Sequence, residues 1–381
     1  MINFKKMKLW EICTFDRRFN GVEKEKQKVI NKFKHISASK LKEYQNDVSG
    51  EVRLLSTGNS EGYTKYNKQD KNINCGEVIT IPTGGTANLK YHKGYFVDSG
   101  NILLTSSIVN LKYVYYYLTK INEIIQGFFR GAGVQHPSMP DILELDIPIP
   151  AMEVQNEIVE VLDKFSALEA ELEAELEART KQYEYYKSKL IFNDYSTLKL
   201  KDIAMYSKKR INSGKLSVDN YVGVDNLLQN KLGKIESIYE PPSGNLTKFN
   251  IGDTLIGNIR PYLKKIWYSD TVGGTNGDVL VITLNEEEQI NDKYLYYVLS
   301  TDNFFHYMNV NSKGAKMPRG DKSLIMEYDI PIPPLDEQER IVSILDKFSS
   351  LVNDIKKGLP AEIELRRKQY EYYRNKLLTF E

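Results

Sequence analysis

Two short polar segments, near residues 130 and 315, have the residue types that contact nucleic acids. They read FFRGAGVQHPS and VNSKGAKMPRG, and the Gly-Ala pairs at 131–132 and 314–315 lie 183 positions apart. Arg can bond a guanine edge with two hydrogen bonds, Gln can bond an adenine edge, and Lys mostly meets phosphate. The repetition predicts a loop that contacts the DNA backbone and reads bases; a solvated surface loop is the alternative. The side chains concerned are Arg130, Gln135 and His136 in the first segment and Lys313, Lys316 and Arg319 in the second.

Other basic clusters are weaker candidates for the same contact. Two Gly-Gly-Thr segments, at 84–86 and 273–275, could hold a phosphate through backbone N–H groups, or could simply form turns. The further residues predicted to contact DNA are Arg17, Arg18, Lys90 and His92 in the first half of the chain, and Lys208, Lys209, Arg210, Arg260, Tyr262 and Lys264 in the second.

Motifs for catalysis are missing from the sequence. We find no phosphate-binding loop of the G-x-x-x-x-G-K type, no dinucleotide fingerprint and no H-E-x-x-H. Two cysteines and four scattered histidines favour neither a zinc site nor a disulfide framework. No apolar run approaches the ~18 residues of a membrane span, and the first residues lack the pattern of a signal peptide. The sequence therefore predicts a cytoplasmic protein without catalytic residues, metal, cofactor or membrane partner.

A long internal repeat organises these residues. LDIPIPAMEVQNEIVEVLDKF at 145–165 returns as YDIPIPPLDEQERIVSILDKF at 328–348, and KQYEYY at 181–186 returns at 368–373. The repeat predicts a pseudo-two-fold protein, and duplex DNA is a partner with two matching halves. We predict four segments: a domain at 1–147, a helical spacer at 148–193, a second domain at 194–330 and a second helical spacer at 331–381.

The spacers have the apolar spacing of long helices. Steps of three, four and seven residues between apolar positions predict one helix from about residue 153 to 190. In the second copy, Gly358-Leu359-Pro360 predicts a break at 357–360, because Gly suits a helix end and Pro a helix start. Each helix needs a partner for its apolar stripe, and each is the natural partner of the other. A two-fold axis perpendicular to the pair reverses one helix against the other, which predicts an antiparallel coiled-coil pair. Strand-like runs at 76–82 and 278–284 make the two intervening domains mixed α/β.

Charge is distributed unevenly along the chain. Residues 1–147 carry 21 Lys and Arg against 15 Asp and Glu, whereas residues 148–193 carry 5 against 10 and residues 194–330 carry 17 against 17. The basic first domain favours a nucleic-acid partner, and the neutral second domain does not add to that argument.

These motifs resemble the specificity subunit of type I restriction–modification systems. The resemblance rests on D-I-P-I-P, the turn into a helix with L-D-K-F, FNIGDTLIGNIRPYLKKIWYSDTVGGTNGDVLVI at 249–282, and GLPAEIELRRKQYEYYRNKLL at 358–378. It implies two target-recognition domains, one for each half of a split DNA site, and helices that dock two methyltransferase (modification) subunits. It also implies that the complex can recruit restriction subunits. The residues expected at the methyltransferase contact are Gln155, Gln338, Tyr183, Tyr186, Tyr370 and Tyr373.

Three other functions compete with this interpretation. A coiled-coil scaffold whose domains bind proteins would explain the helices, but not two divergent domains on one frame. A specificity subunit of another restriction–modification class would share the same motifs. An independent enzyme acting on nucleic acid would need a catalytic motif.

Overall fold

The computed structural model describes residues 3–44, 46–47, 49–59, 62–285, 290–353 and 358–380. The chain divides into two compact units. Unit 1 comprises residues 1–170 together with 365–381, and unit 2 comprises residues 171–364. None of the helices in the described ranges has the length and hydropathy needed to cross a lipid bilayer.

Unit 1 is built on a six-stranded mixed sheet in the order β2-β7-β5-β6-β3-β4. Strands β3 and β6 are parallel, and the other neighbours are antiparallel. The strands are β1 (Phe4–Lys8), β2 (Thr14–Phe15), β3 (Val52–Leu55), β4 (Gly62–Thr64), β5 (Asn74–Pro82), β6 (Lys90–Asp98), β7 (Asn101–Thr105), β8 (Phe129–Arg130), β9 (His136–Pro137) and β10 (Asp146–Pro150). The helices are α1 (Leu9–Ile12), α2 (Ala38–Glu43), α3 (Leu111–Lys120), α4 (Asn122–Gly127) and α5 (Met139–Leu143).

The core of unit 1 lies between this sheet and helix α3. Alternation in β5 buries Ile79 and Ile81 against α3, because successive side chains of a strand face opposite sides. Asn110 begins α3 by accepting hydrogen bonds from the backbone N–H groups of residues 112 and 113. The buried Tyr113 and Tyr116 belong to this core, so the tyrosine cluster of the helix serves packing.

Unit 2 contains two four-stranded sheets, in the orders β12-β19-β16-β17 and β13-β15-β18-β14. The strands are β11 (Thr197–Lys199), β12 (Ala204–Tyr206), β13 (Arg210–Asn212), β14 (Tyr221–Val222), β15 (Asn245–Phe249), β16 (Thr254–Gly257), β17 (Ile266–Tyr268), β18 (Gly273–Thr275), β19 (Val279–Leu284), β20 (Ser312–Lys313), β21 (Arg319–Gly320) and β22 (Asp329–Pro331). The helices that belong wholly to unit 2 are α7 (Leu200–Ile203), α8 (Asp292–Leu299), α9 (Asp302–Val310), α10 (Lys322–Ile325) and α11 (Leu335–Asn353).

The segment Gly273-Gly274-Thr275 is a buried strand, so the prediction that it forms a loop or phosphate cradle is wrong. A Cβ atom on Gly273 would lie 2.0 Å from the carbonyl oxygen of Asn220. Glycine is therefore needed because another backbone approaches closely.

In each unit, the first strand and the last strand form an equivalent antiparallel pair. Strand β1 pairs with β10, and β11 pairs with β22, so that Lys8 lies opposite Asp146 and Lys199 opposite Asp329. The two Lys–Asp ion pairs measure 2.8 Å and 2.7 Å. The repeated D-I-P segment thus joins the end of each domain to its beginning.

Two long helical segments complete the fold, which is mixed α/β as predicted. Helix α6 runs without interruption from Met152 to Ile191, 40 residues that confirm the helix expected at 153–190. Helix α12 spans Leu359–Leu377 and has Pro360 in its first turn; the residues just before Gly358 lie outside the described ranges, so only the restart of the helix is confirmed.

Within unit 1, α12 packs antiparallel against the first part of α6. Phe165 stacks on Tyr373 with 5.2 Å between ring centroids, and Glu169 pairs with Arg367 at 2.6 Å. As the residue number rises along α6 it falls along α12, which is the antiparallel arrangement predicted from the repeat.

Candidate nucleic-acid interface

The polar segment of unit 1 forms a short β-hairpin. Strands β8 and β9 pair so that Arg130 lies directly opposite His136. Gly131 has φ +145°, and a Cβ atom there would lie 2.8 Å from the carbonyl oxygen of Val134, so glycine permits the tight turn. The side chain of Arg130 is 69% exposed and pairs with Asp141 of α5 at 2.9 Å.

The loop after β5 supports this hairpin. The ring Nδ1 of His136 lies 2.6 Å from the carbonyl oxygen of Thr83, and the N–H of Gly85 donates to the carbonyl oxygen of Gln135 at 2.8 Å. A Cβ atom on Gly84 would lie 3.0 Å from the side chain of Val134. Because the Gly85 N–H is engaged here, we interpret this glycine pair as support for the hairpin rather than as a phosphate cradle.

The polar segment of unit 2 forms the same hairpin. Strands β20 and β21 pair so that Lys313 lies opposite Arg319. Lys313 pairs with Asp321 at 2.6 Å, and Arg319 pairs with Asp278 at 3.2 Å. Lys316 is exposed in the turn between the strands.

The register identifies which residues correspond between the hairpins. With the repeat offset of 183, Arg130 corresponds to Lys313 and His136 corresponds to Arg319. Each hairpin therefore places two basic side chains across from one another at an exposed tip. A carboxylate fixes Arg319 through Nε and Nη2, which leaves donors on the guanidinium free to meet a base edge or a phosphate.

In unit 2 the loop between β16 and β17 reaches the hairpin. The N–H of Arg260 donates to the carbonyl oxygen of Pro318 at 2.7 Å, and Ile259 forms a β-bridge with Arg319. The structure thus brings together two basic segments predicted to contact DNA, the one around Arg260 and the one around Arg319. Tyr262 is exposed in the same loop, whereas the amine of Lys264 is directed to Asp302 at 2.8 Å.

Three predicted residues lie on the edge of the second sheet of unit 2. Lys208, Lys209 and Arg210 are exposed at the start of β13, which is an edge strand. Arg210 donates to the hydroxyl of Thr247 at 2.8 Å. In unit 1, Arg18 is likewise exposed.

Lys90 and His92 face inward more than the sequence suggested. Lys90 is 7% exposed, and its amine donates to the carbonyl oxygens of Ser56 and Gly58 at 3.0 Å and 2.6 Å. His92 is half-buried, its Nε2 lies 2.9 Å from the carbonyl oxygen of Tyr95, and burial lowers the pKa of its ring. This burial is inconsistent with the predicted DNA contact of Lys90, which instead fixes the 56–58 loop.

Arg17, whose side chain is 39% exposed, pairs with one of two buried carboxylates. The ring of His35 bridges Asp16 and Asp98 at 2.7 Å each, and both carboxylates are fully buried. Arg17 pairs with Asp16 at 2.7 Å and donates to the carbonyl oxygen of Asn101 at 2.7 Å. Hydrogen bonds to Asp16 and then Asp98 raise the pKa of His35 to about 9, although burial opposes this shift. Two buried carboxylates therefore hold a charged imidazolium between them.

We expect this network to make unit 1 less stable as the pH rises into the alkaline range. The pKa of His35 is higher in the folded protein, at about 9, than in the unfolded chain, at about 6.5. The protonated ring therefore stabilises the fold fully below about pH 6.5, and this contribution is lost as the pH rises through about 9. The free energy of unfolding should fall by about 2 kcal/mol across that window relative to His35→Gln, in which the window disappears. Denaturant unfolding at several pH values measures it. His92→Gln is the matched control and should keep the window; equal pH profiles for the wild type and His35→Gln would contradict the assignment.

The two glutamines expected at a partner surface are internal. Gln155 is 2% exposed; its amide donates to the carbonyl oxygen of Pro150 at 2.8 Å and accepts from the N–H of Asn110 at 2.9 Å. Gln338 is 1% exposed and makes the same two bonds, to Pro333 and Asn291, at 2.9 Å each. This burial is inconsistent with direct partner contact. Gln155 instead connects α6 to the start of α3, and Gln338 connects α11 to the start of α8; α3 and α8 are the tyrosine-rich helices of the two domains.

The four tyrosines expected at the same surface separate into two groups. Tyr183 is buried in the core of unit 2, and Tyr370 is half-buried against the core of unit 1. Tyr186 and Tyr373 are 42% and 39% exposed, so both remain accessible to a partner.

A groove beside a helical segment, α6 in unit 1 and α11 in unit 2, is repeated in both units and was not predicted from the sequence. In unit 1, Tyr116 and Lys112 bind Asp163 of α6, with Lys112 at 2.8 Å. The same groove in unit 2 is made by Tyr297, Lys293 and Asp346, with Lys293 at 2.8 Å. The constant offsets of 181 and 183 residues were the available signal. The grooves enclose about 780 Å³ and 430 Å³.

Each groove has an aromatic wall from its sheet. Tyr91 in unit 1 packs against Tyr115 at 5.9 Å, and Tyr268 in unit 2 packs against Tyr296 at 5.7 Å. Lys112 lies over the ring of Tyr91, as Lys293 does over Tyr268. Within the described ranges, no group of three or more His, Cys, Asp or Glu side chains is placed to hold a metal ion.

The fold and the paired hairpins define a duplicated α/β protein, and comparison with known proteins identifies its class. The family model for the type I restriction modification DNA specificity domain matches residues 1–178 and again residues 193–365. The chain therefore belongs to this family.

Curated relatives and solved structures agree with this assignment. The chain is 29% identical to a type I restriction enzyme specificity subunit of Escherichia coli, over 90% of this chain and 89% of the relative. It is also 29% identical to a putative type I specificity subunit of Haemophilus influenzae, over 87% of this chain and 89% of the relative. The crystal structure of the S subunit from M. genitalium has the same fold, with a TM-score of 0.59 at 16% identity, over 100% of this chain and 97% of that one.

Proposed function

We propose that this specificity subunit reads a two-part DNA sequence, with unit 1 on one half-site and unit 2 on the other. The observation that carries the proposal is the repeated hairpin, which presents Arg130 opposite His136 and Lys313 opposite Arg319. Arg and Lys at an exposed tip supply both base-edge hydrogen bonds and phosphate contacts. The adjoining Arg260 extends the contact surface of unit 2.

Binding to DNA with a strong salt dependence would follow from these contacts. Each phosphate neutralised by Lys or Arg releases counterions, so the affinity falls steeply with salt. Fluorescence anisotropy with random duplexes, for the chain alone and with methyltransferase subunits, tests this. A chain that binds proteins but shows no DNA affinity in either state would favour the scaffold alternative.

We infer further that two methyltransferase subunits dock on the helical segments, one on each repeat. The support is the duplicated groove, since two copies of one partner require two similar surfaces. Each groove is lined by lysine and tyrosine side chains. Tyr186 in unit 2 and Tyr373 in unit 1, which lie outside the grooves, are also exposed. The recruitment of restriction subunits would follow from the same assembly.

The stoichiometry of the complex is an expected result that can be measured directly. At saturation we expect two methyltransferase subunits for each copy of this chain, because the groove residues recur in both units. Native mass spectrometry of the purified complex gives the count. Saturation at a single subunit would argue against equivalent docking surfaces.

We propose that the chain itself carries out no chemistry and acts in the cytoplasm. The sequence contains none of the catalytic motifs sought above, and the proposed function requires only recognition. Methyltransferase, nuclease or nucleotide-hydrolysing activity of the purified chain, abolished by a point substitution within it, would overturn this.

A further inference from the structure

Among the residues that the structure describes, four other than glycine have left-handed backbone conformations, and all four lie in unit 2. Within the described ranges they are Asn230, Lys231, Arg260 and Lys264, with φ of 55°, 65°, 52° and 50°. They belong to two loops, at 228–233 and 258–265. Left-handed φ values are costly for residues with a Cβ atom and persist only where surrounding contacts hold them.

A lysine–carboxylate cluster holds the two loops together. The N–H of Lys231 donates to the carbonyl oxygen of Lys264 at 2.9 Å. The amines of both lysines pair with one carboxylate, Asp302 in the first turn of α9, at 3.0 Å and 2.8 Å. Lys231 also pairs with Glu184 of α6 at 2.7 Å. One aspartate thus connects both strained loops to a helix.

The charges around Asp302 keep its carboxyl group ionised. Burial acts to raise the pKa of Asp302, but hydrogen bonds from Lys264 and Lys231 outweigh it and lower the pKa to about 2. A third amine, that of the buried Lys187, donates to the carbonyl oxygen of Ser300 at 2.7 Å. Asp302 therefore stays charged at any pH at which the protein is assayed.

The other end of the 258–265 loop lies on the hairpin. Four residues before Lys264, the N–H of Arg260 donates to the carbonyl oxygen of Pro318, and Ile259 bridges Arg319. Between the two ends, Pro261–Leu263 forms a turn of 3-10 helix, with Pro261 buried. The loop is therefore a short, stiff connection from the lysine–carboxylate cluster to the candidate DNA-contact tip.

We propose that Asp302 is a positioning residue for DNA recognition by unit 2, acting through Lys264 and the 258–265 loop to fix Arg260 beside Arg319. The inference rests on the proposed function for its consequence on DNA, but not for its consequence on the loop. Unit 1 has no acidic residue at the corresponding position, because the repeat offsets of 181 and 183 place Ile121 and Thr119 there. Asp302 touches no DNA in this scheme.

The test uses the full chain with Asp302→Asn, which removes the charge and keeps the side-chain shape. Asp329→Asn is the matched control, because it removes a Lys–Asp pair of similar length, 2.7 Å, from the β11–β22 strand pair. Asp302→Glu tests rescue by a conserved charge. Each variant is measured by selection from a duplex library, by the melting temperature, and by hydrogen exchange of the amides of residues 258–265.

We expect Asp302→Asn to weaken binding to the unit 2 half-site by about tenfold, the scale of one charge-assisted hydrogen bond, and to leave the unit 1 half-site unchanged. Exchange in the 258–265 loop should rise while the melting temperature stays near that of Asp329→Asn, and Asp302→Glu should recover part of both effects. Unchanged exchange in the loop would overturn the positioning role, whether or not DNA binds. Wild-type chain that shows no half-site preference would instead refute the proposed function, and the exchange data would still decide the inference.

Discussion

Replacing Arg319 with alanine is expected to weaken sequence preference in one half of the DNA target and to leave the other half intact. Arg319 lies at an exposed tip, is held by Asp278 at 3.2 Å, and adjoins Arg260 through the β-bridge of Ile259. A fixed guanidinium can bond a guanine edge with two hydrogen bonds, and losing such a contact costs about 1–3 kcal/mol. Arg319→Lys keeps the charge but loses the planar fork, so it should retain phosphate binding and lose discrimination.

The register of the two hairpins identifies the equivalent substitutions in unit 1. His136→Ala and Arg130→Ala alter the tip that corresponds to Arg319 and Lys313, so their effects should fall on the opposite half-site. Sequencing of duplexes selected by each variant measures preference position by position. If substitutions in both units changed preference within the same half-site, the model of one reader per unit would be wrong.

Lengthening helix α6 should change the gap between the two half-sites. The segment LEAELEAELEA at 168–178 is a tandem four-residue pattern, and the boundary between the compact units falls inside it, at residues 170 and 171. One more E-A-E-L adds about 6 Å and turns the helix about 40° beyond a full turn, so the apolar stripe nearly survives. A shift of 6 Å corresponds to about one to two base pairs of DNA.

Mapping of methylated sites with the lengthened chain and its partner subunits measures this effect. The half-sites themselves should stay the same, because the hairpins are unaltered. Glu173→Gln is a control that alters the same segment without changing its length. An active lengthened variant that methylates sites with the original gap would show that the repeat is simply a stable helix.

The long helix and the strands of this protein could be predicted from the sequence, because the spacing of apolar and turn residues determines them locally. A 40-residue helix free of Gly and Pro, and strands bounded by turn residues, depend mainly on local periodicity. The positions of the two hairpins also followed from sequence, since the Gly-Ala turns recur at a fixed offset.

Side-chain environment was harder to predict, because burial depends on distant segments. The charge of Lys90 predicts a DNA contact, but its amine donates to two carbonyl oxygens inside the domain. The repetition of Gln155 predicts a partner surface, but it reflects an internal joint that both domains share. The left-handed loop of Arg260 and Lys264 has no signal in its residue types, since neither Gly nor Asn occupies those two positions.

The shared joint around Gln155 and Gln338 has a consequence for evolution. Each glutamine accepts a hydrogen bond from the N–H of the residue that begins helix α3 or α8. Each also donates to a proline carbonyl oxygen, that of Pro150 at the end of β10 or that of Pro333 two residues beyond β22, at nearly the same distance. The middles of the two domains have nevertheless diverged. A gene segment exchanged by recombination between such joints would arrive with matching ends. Inheritance of a new recognition segment would then require no adjustment of the helices, because the repeated glutamine joint leaves the middle of each domain free to differ.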